Sequence, residues 1–251
     1  MSIGRKIIFV IALLVFLGSL GMIVNYYFSG WKTEQALSSL AEMTGEEDLV
    51  TDKGVVVAKY TKLYQKNPEM VGWIKIDDTR IDYPVMQSPK DPEFYLHHNF
   101  EKEPNGAGVP FIDTNSDIFK PTYNWLVYGH NMKDGSMFHT LVEYADAEFY
   151  QKHPTVKFDT IYKGGQGEYQ VVAAFYSQIY PESKNVFKYY EYAGLRSKTD
   201  FDNYMLGVRS LAEYSTGVQV EYGDQLITLS TCSYHVPDRK GRFVVVAKRI
   251  R

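Results

Sequence analysis

The chain has one cysteine, Cys232, and it closes a strand-like run, LITLSTC, at residues 226–232. A thiolate attacks a carbonyl carbon well and a neutral thiol attacks poorly. With ordinary pKa values of about 8.5 for Cys and 6.5 for His, only about 1% of a Cys–His pair exists as thiolate and imidazolium. A guanidinium nearby raises that fraction by favouring the anion. The chemistry is therefore served by an imidazole and a nearby cation. After Cys232 comes a turn containing Pro237, Asp238 and Gly241, and a second strand-like run opens at Arg242. Antiparallel pairing of the two runs puts the guanidinium beside the sulfur. The apolar segment NWLVY (Asn124–Tyr128) ends in Gly129-His130 and runs into a polar loop. Both candidates sit where a rigid strand meets a loop, the usual place for catalytic side chains.

Other residues compete for these roles. A lone Cys cannot form an internal disulfide, and the plain reading is a small buried hydrophobe. Histidines stand at 97, 98, 130, 139, 153 and 235. His235 is near Cys232 in sequence, but on a short turn it points along the loop. His97 and His98 suggest a metal pair, yet neighbours on a strand face opposite ways. Nothing completes their ligand set, so no metal and no cofactor is expected. Arg239 lies inside the turn, whereas Arg242 opens the strand.

Strands must position these groups. The 21 Tyr and 14 Phe favour a β-rich domain. VGWIKI (Val71–Ile76) alternates, and Asp77-Asp78-Thr79 turns into IDYPVMQ. Asn124–Tyr128, Thr155–Asp159, Tyr169–Tyr176, Gln225–Thr231 and Arg242–Lys248 read as further strands. Two helices precede them: one carries Ala36, Leu37, Leu40 and Met43 on one face, the other covers Val55–Gln65 and stops at Asn67-Pro68. Thr199–Tyr214 has helical spacing between late strands. Many strands without βαβ alternation predict a mainly β fold with helices, as a closed barrel or sandwich.

Residues Ile7–Val24 form an uncharged apolar run, preceded by Arg5-Lys6 and followed by Asn25-Tyr26-Tyr27-Phe28. That length with an aromatic belt suits a membrane span, and the positive-inside rule leaves the N-terminus in the cytoplasm. Bulky residues follow where a signal-peptidase site needs small ones, so a retained anchor is favoured over a cleaved signal. The expected organisation is a tail at 1–6, an anchor at 7–28, a linker and helix at 29–54, and an extracellular domain at 55–251. A net charge of −3 leaves no basic footprint for nucleic acid.

The segments YGHNM (Tyr128–Met132) and TLSTC (Thr228–Cys232), with Gly241-Arg242 ten residues past the cysteine, resemble the sortase signature. VGWIKI, IDYPVMQ and FYLHHNF (Phe94–Phe100) resemble class B sortases in particular. The resemblance implies a β-barrel of about eight strands, N-terminal helices, and a long helix between strands six and seven. It maps the family's catalytic Cys, His and Arg onto Cys232, His130 and Arg242. By position relative to the motifs, Leu96, Tyr128, Ser230 and Ser233 are substrate-groove candidates, with Leu96 and Tyr128 equally readable as core. The family often has an acidic residue after the cysteine, and here Ser233 stands instead. The implied activity is transpeptidation, with cleavage of a sorting signal after Thr and transfer to a peptidoglycan-precursor amine. The implied partners are that peptide, that amine and the membrane. Pilus-polymerising sortases and a non-enzymatic tethered β-domain are the alternatives.

Overall fold

The computed structural model describes residues 3–119 and 122–251. Its first element, α1 (Ile3–Ala41), is one uninterrupted helix, long and apolar enough to cross a bilayer. The amphipathic stretch around Leu37 and Leu40 therefore continues the apolar helix rather than starting a new one. Those two leucines are buried, whereas residues 3–29 are exposed.

A hairpin follows, with β1 (Leu49–Thr51) pairing β2 (Gly54–Val56), and then α2 (Ala58–Lys66). The helix predicted from Val55 thus begins later. Val55 and Val56 are β-branched and pair in the hairpin, and extended Val57 is the N-cap.

Eight strands form a closed barrel: β3 (Met70–Lys75), β4 (Asp82–Met86), β5 (Phe111–Ile112), β6 (Asn124–Tyr128), β7 (Thr155–Thr160), β8 (Glu168–Gln178), β9 (Leu226–Cys232) and β10 (Gly241–Arg249). A short helix, α3 (Ala147–Lys152), precedes β7. The order around the ring is β10-β8-β7-β3-β4-β5-β6-β9. Two contacts are parallel, β4 with β5 and β6 with β9; the rest are antiparallel. The expected barrel is present, and α4 (Lys198–Leu211) lies between its sixth and seventh strands.

Alternation along β9 and β10 separates two cores. Ile227, Leu229, Phe243 and Val245 join Trp73, Val127 and Phe158 in one cluster. Leu226, Val244 and Val246 face the other way, against Phe201, Tyr204 and Val208 of α4. Close packing shows at Gly72 in β3, where a Cβ would lie 2.8 Å from both the Asp159 carbonyl oxygen and Phe158 Cζ. A polar network ties α4 to the barrel wall. Tyr204 shares a hydrogen bond with Thr228 at 2.5 Å, and Thr228 donates to Asn124 Oδ1 at 2.8 Å.

Candidate active site

Thr228 and Ser230 of β9 meet Tyr204 and Tyr189 on the outer side of the barrel. Alternation puts Cys232, two residues on, on that same side at the rim. On β10, Arg242 is directly opposite Cys232, and it shares the face of Val244 and Val246. On the other flank β6 runs parallel to β9, with Tyr128 opposite Ser230. The same register carried two residues further brings His130 level with Cys232. Three hydrogen bonds hold that extension: Gly129 N–H to the Ser230 carbonyl at 3.1 Å, the Thr231 hydroxyl to the Gly129 carbonyl at 2.8 Å, and Asn131 Nδ2 to the Cys232 carbonyl at 2.9 Å.

These residues line a cleft of about 390 Å³. It brings together Cys232, His130, Arg242, Leu96, Tyr128 and Ser230, with Glu93, Asp113, Ile179 and Tyr190 completing the walls. Cys232 is half-buried, so its thiol is reachable from the cleft. Ser233 is not brought in: it is buried, and its hydroxyl pairs with His235 Nδ1 at 3.0 Å. The pleat explains this, since the residue after Cys232 must point to the opposite face. Ser230 lines the wall with its hydroxyl already engaged by Tyr189 at 2.7 Å.

His130 Nε2 lies 2.9 Å from the Leu96 carbonyl oxygen. A carbonyl only accepts, so Nε2 carries the hydrogen and Nδ1 is left to exchange a proton. Burial holds the imidazole below its ordinary pKa; the Leu96 carbonyl pulls the other way, while His97 and Arg242 add to the lowering. The ring is therefore neutral near pH 7.

Arg242 Nη1 donates to the Arg239 carbonyl at 3.0 Å and to the Gly241 carbonyl at 2.8 Å. This anchors the guanidinium and leaves Nε and Nη2 without a protein acceptor among the described residues. Arg239 contributes its carbonyl to that hold, from a backbone with φ of 55°. The Tyr128 hydroxyl donates to Asp113 at 3.2 Å, and burial followed by that carboxylate pushes its pKa far above the ordinary tyrosine range. Tyr128 is a wall and a donor, not a base.

None of the other histidines lines the cleft. His98 stacks on Phe94 with ring centres 3.9 Å apart, and His97 lies 6.1 Å from His130, ring to ring. Among the described residues no His, Cys, Asp and Glu cluster could hold a metal ion. Two residues that sequence reasoning passed over matter here. Asn131 bridges the Cys232 carbonyl to His139, whose Nδ1 lies 2.7 Å from Asn131 Oδ1. The signal was visible in YGHNM, where an amide directly follows the histidine.

A closed barrel with a thiol, an imidazole and an anchored guanidinium lining one cleft has the groups that acyl transfer through a cysteine uses. Residues 74–250 match the family described as the Sortase domain. Sortase B of Listeria monocytogenes is 38% identical over 240 residues, covering 90% of this chain and 92% of the relative. Sortase B of Staphylococcus aureus is 30% identical over 194 residues, covering 77% of this chain and 75% of the relative. The crystal structure of sortase B from Bacillus anthracis superposes with a TM-score of 0.74 at 30% identity, covering 90% of this chain and 99% of that one. The chain belongs to the sortase family, on its class B branch, and is a sortase transpeptidase.

Proposed function

We propose that this protein is a membrane-anchored transpeptidase that cleaves a C-terminal sorting signal after Thr and joins the freed carbonyl to a peptidoglycan amine. Cys232 is the nucleophile. Its sulfur attacks the Thr carbonyl carbon, and His130 takes the thiol proton at Nδ1. The tetrahedral intermediate collapses by breaking the C–N bond, and His130 returns the proton to the leaving amine, giving a thioester. An incoming amine then attacks the thioester, loses a proton to His130 and expels the Cys232 thiolate. Arg242, with Nε and Nη2 open to the cleft, stabilises the oxyanion in both steps. Leu96, Tyr128 and the backbone around Ser230 grip the peptide.

Residues 7–28 serve as the anchor, the N-terminus lies inside, and the barrel stands outside the cell membrane. The observation that carries the reading is the register: β6, β9 and β10 lie side by side with His130, Cys232 and Arg242 at one rim.

The test is incubation of the protein with a sorting-peptide library and free amines, followed by mass spectrometry. The expected result is an acyl adduct on Cys232, amine-dependent transfer of the peptide truncated after Thr, and loss of both in Cys232→Ala. Cleavage that persists in Cys232→Ala overturns the assignment.

A further inference from the structure

The helix α1 does not simply lead away from the domain. Its stripe Tyr26, Gly30, Thr33, Leu37 and Leu40 repeats every three or four residues and faces the barrel side. Leu37 and Leu40 are buried in the main core. Thr33 accepts from Asn105 Nδ2 at 3.0 Å, and Glu34 lies 3.9 Å from Arg80. Arg80 in turn donates to the Asp134 carbonyl at 2.8 Å. Gly30 touches Asp134 so closely that a Cβ there would collide with its carboxylate. One turn earlier, the Tyr26 hydroxyl lies against the Lys133 backbone amide and within electrostatic range of Tyr234.

The lipid boundary is fixed by the same helix. The apolar run ends at Val24, so Tyr26 lies only about 3 Å further along the axis, at 1.5 Å per residue. Two loops thus reach the level at which the chain leaves the bilayer. One follows His130, and the other is the β9–β10 turn that follows Cys232. Tyr234 in that turn is 65% exposed. Lys133, Arg239 and Lys240 are exposed on the same two loops. Of the nearby carboxylates, Asp134 accepts from Ser136 N and Oγ at 3.0 and 2.7 Å, and Asp238 is open. An exposed tyrosine on loops that carry three exposed cations matches the interfacial layer of an anionic membrane.

We propose that these two loops form a second membrane contact, with Tyr234 seated beside Tyr26 at the interface and Lys133, Arg239 and Lys240 on anionic headgroups. The proposal rests on reading α1 as the anchor. It places the cleft mouth at the membrane surface, because His130 and Cys232 each lie just before a contacting loop. Substrate then enters along the bilayer plane.

The experiment is amide hydrogen exchange on the full chain in lipid nanodiscs, phosphatidylcholine alone against phosphatidylcholine with phosphatidylglycerol. Amides 131–135, 234–236 and 238–240 should exchange at least about threefold more slowly in the anionic discs, with the difference shrinking at high salt. The protection should disappear in a Tyr234→Ser, Lys133→Gln, Lys240→Gln variant whose α1 amides stay protected. If amides 7–24 are protected while both loops exchange alike in the two discs, the second contact is overturned and the anchor stands. If amides 7–24 exchange freely in both discs, anchor and contact fall together.

Discussion

Asn131→Ala tests whether the loop after His130 positions Cys232, the proposed nucleophile. Asn131 makes two side-chain hydrogen bonds, to the Cys232 carbonyl at 2.9 Å and to His139 at 2.7 Å. Each contributes about 1 kcal/mol net, so the substitution removes about 2 kcal/mol from the linkage. Expressed wholly in the transition state, that is about a thirtyfold fall in kcat/KM. Asn131→Asp separates the parts. It keeps the acceptor for His139, but turns an acceptor toward the Cys232 carbonyl and adds a negative charge near the thiol. The charge disfavours the thiolate, so the alkylation profile of Cys232 moves to higher pH in the Asp variant and not in the Ala variant. The assays are kcat/KM on a sorting peptide, iodoacetamide rates across pH, and urea unfolding of each variant. If Asn131→Ala leaves kcat/KM and the alkylation rate within about twofold while unfolding shows the full loss, Asn131 only braces the loop and the reasoning is refuted.

Three further outcomes follow from the same geometry. Arg242→Gln should cut kcat/KM by about a hundredfold or more, the usual cost of losing one oxyanion donor, and Arg242→Lys should recover only part because an ammonium lacks the planar fork. His130 should titrate below its ordinary value of about 6.5, read by imidazole NMR, and His97→Gln should raise it by removing a neighbouring charge. In stability the sign is set by linkage: below about pH 6.5 the unfolded imidazole takes a proton that the buried one refuses, so wild type should lose stability relative to His130→Gln as the solution is acidified. Tyr204→Phe should cost about 1 kcal/mol in urea unfolding by breaking the buried link to Thr228, with activity little changed.

The parts of the fold governed by local pattern were legible in the sequence. Asn124–Tyr128 falls on β6 to the residue, and the helical spacing from Thr199 overlaps α4. What was not legible depends on partners far along the chain. β5 is two residues, Phe111–Ile112, and exists because Met86 and Tyr128 flank Phe111 in the ring; no periodicity shows in so short a piece. Val56 fits a helix face by spacing with Tyr60, but the β-branching of Val55 and Val56 and their pairing with Val50 and Leu49 win. The hairpin logic beside Cys232 anticipated the register with Arg242. It did not anticipate that β6 runs parallel to β9, which is what sets His130 alongside. Ser233 was assigned by nearness to Cys232, and the pleat turns it inward. Asn131 went unnoticed because a side-chain amide reveals its partner only once two remote strands are adjacent.

The ring of eight strands has a bearing on how such a protein lives among its clients. Newly exported, unfolded chains are rich in extended segments that add readily to any unpaired sheet border. Closing the ring removes most of that border, with β4 meeting β5 only at Met86 and Phe111. For the proposed peptide substrate, the closed part of the ring leaves recognition to side chains and loops and disfavours strand addition.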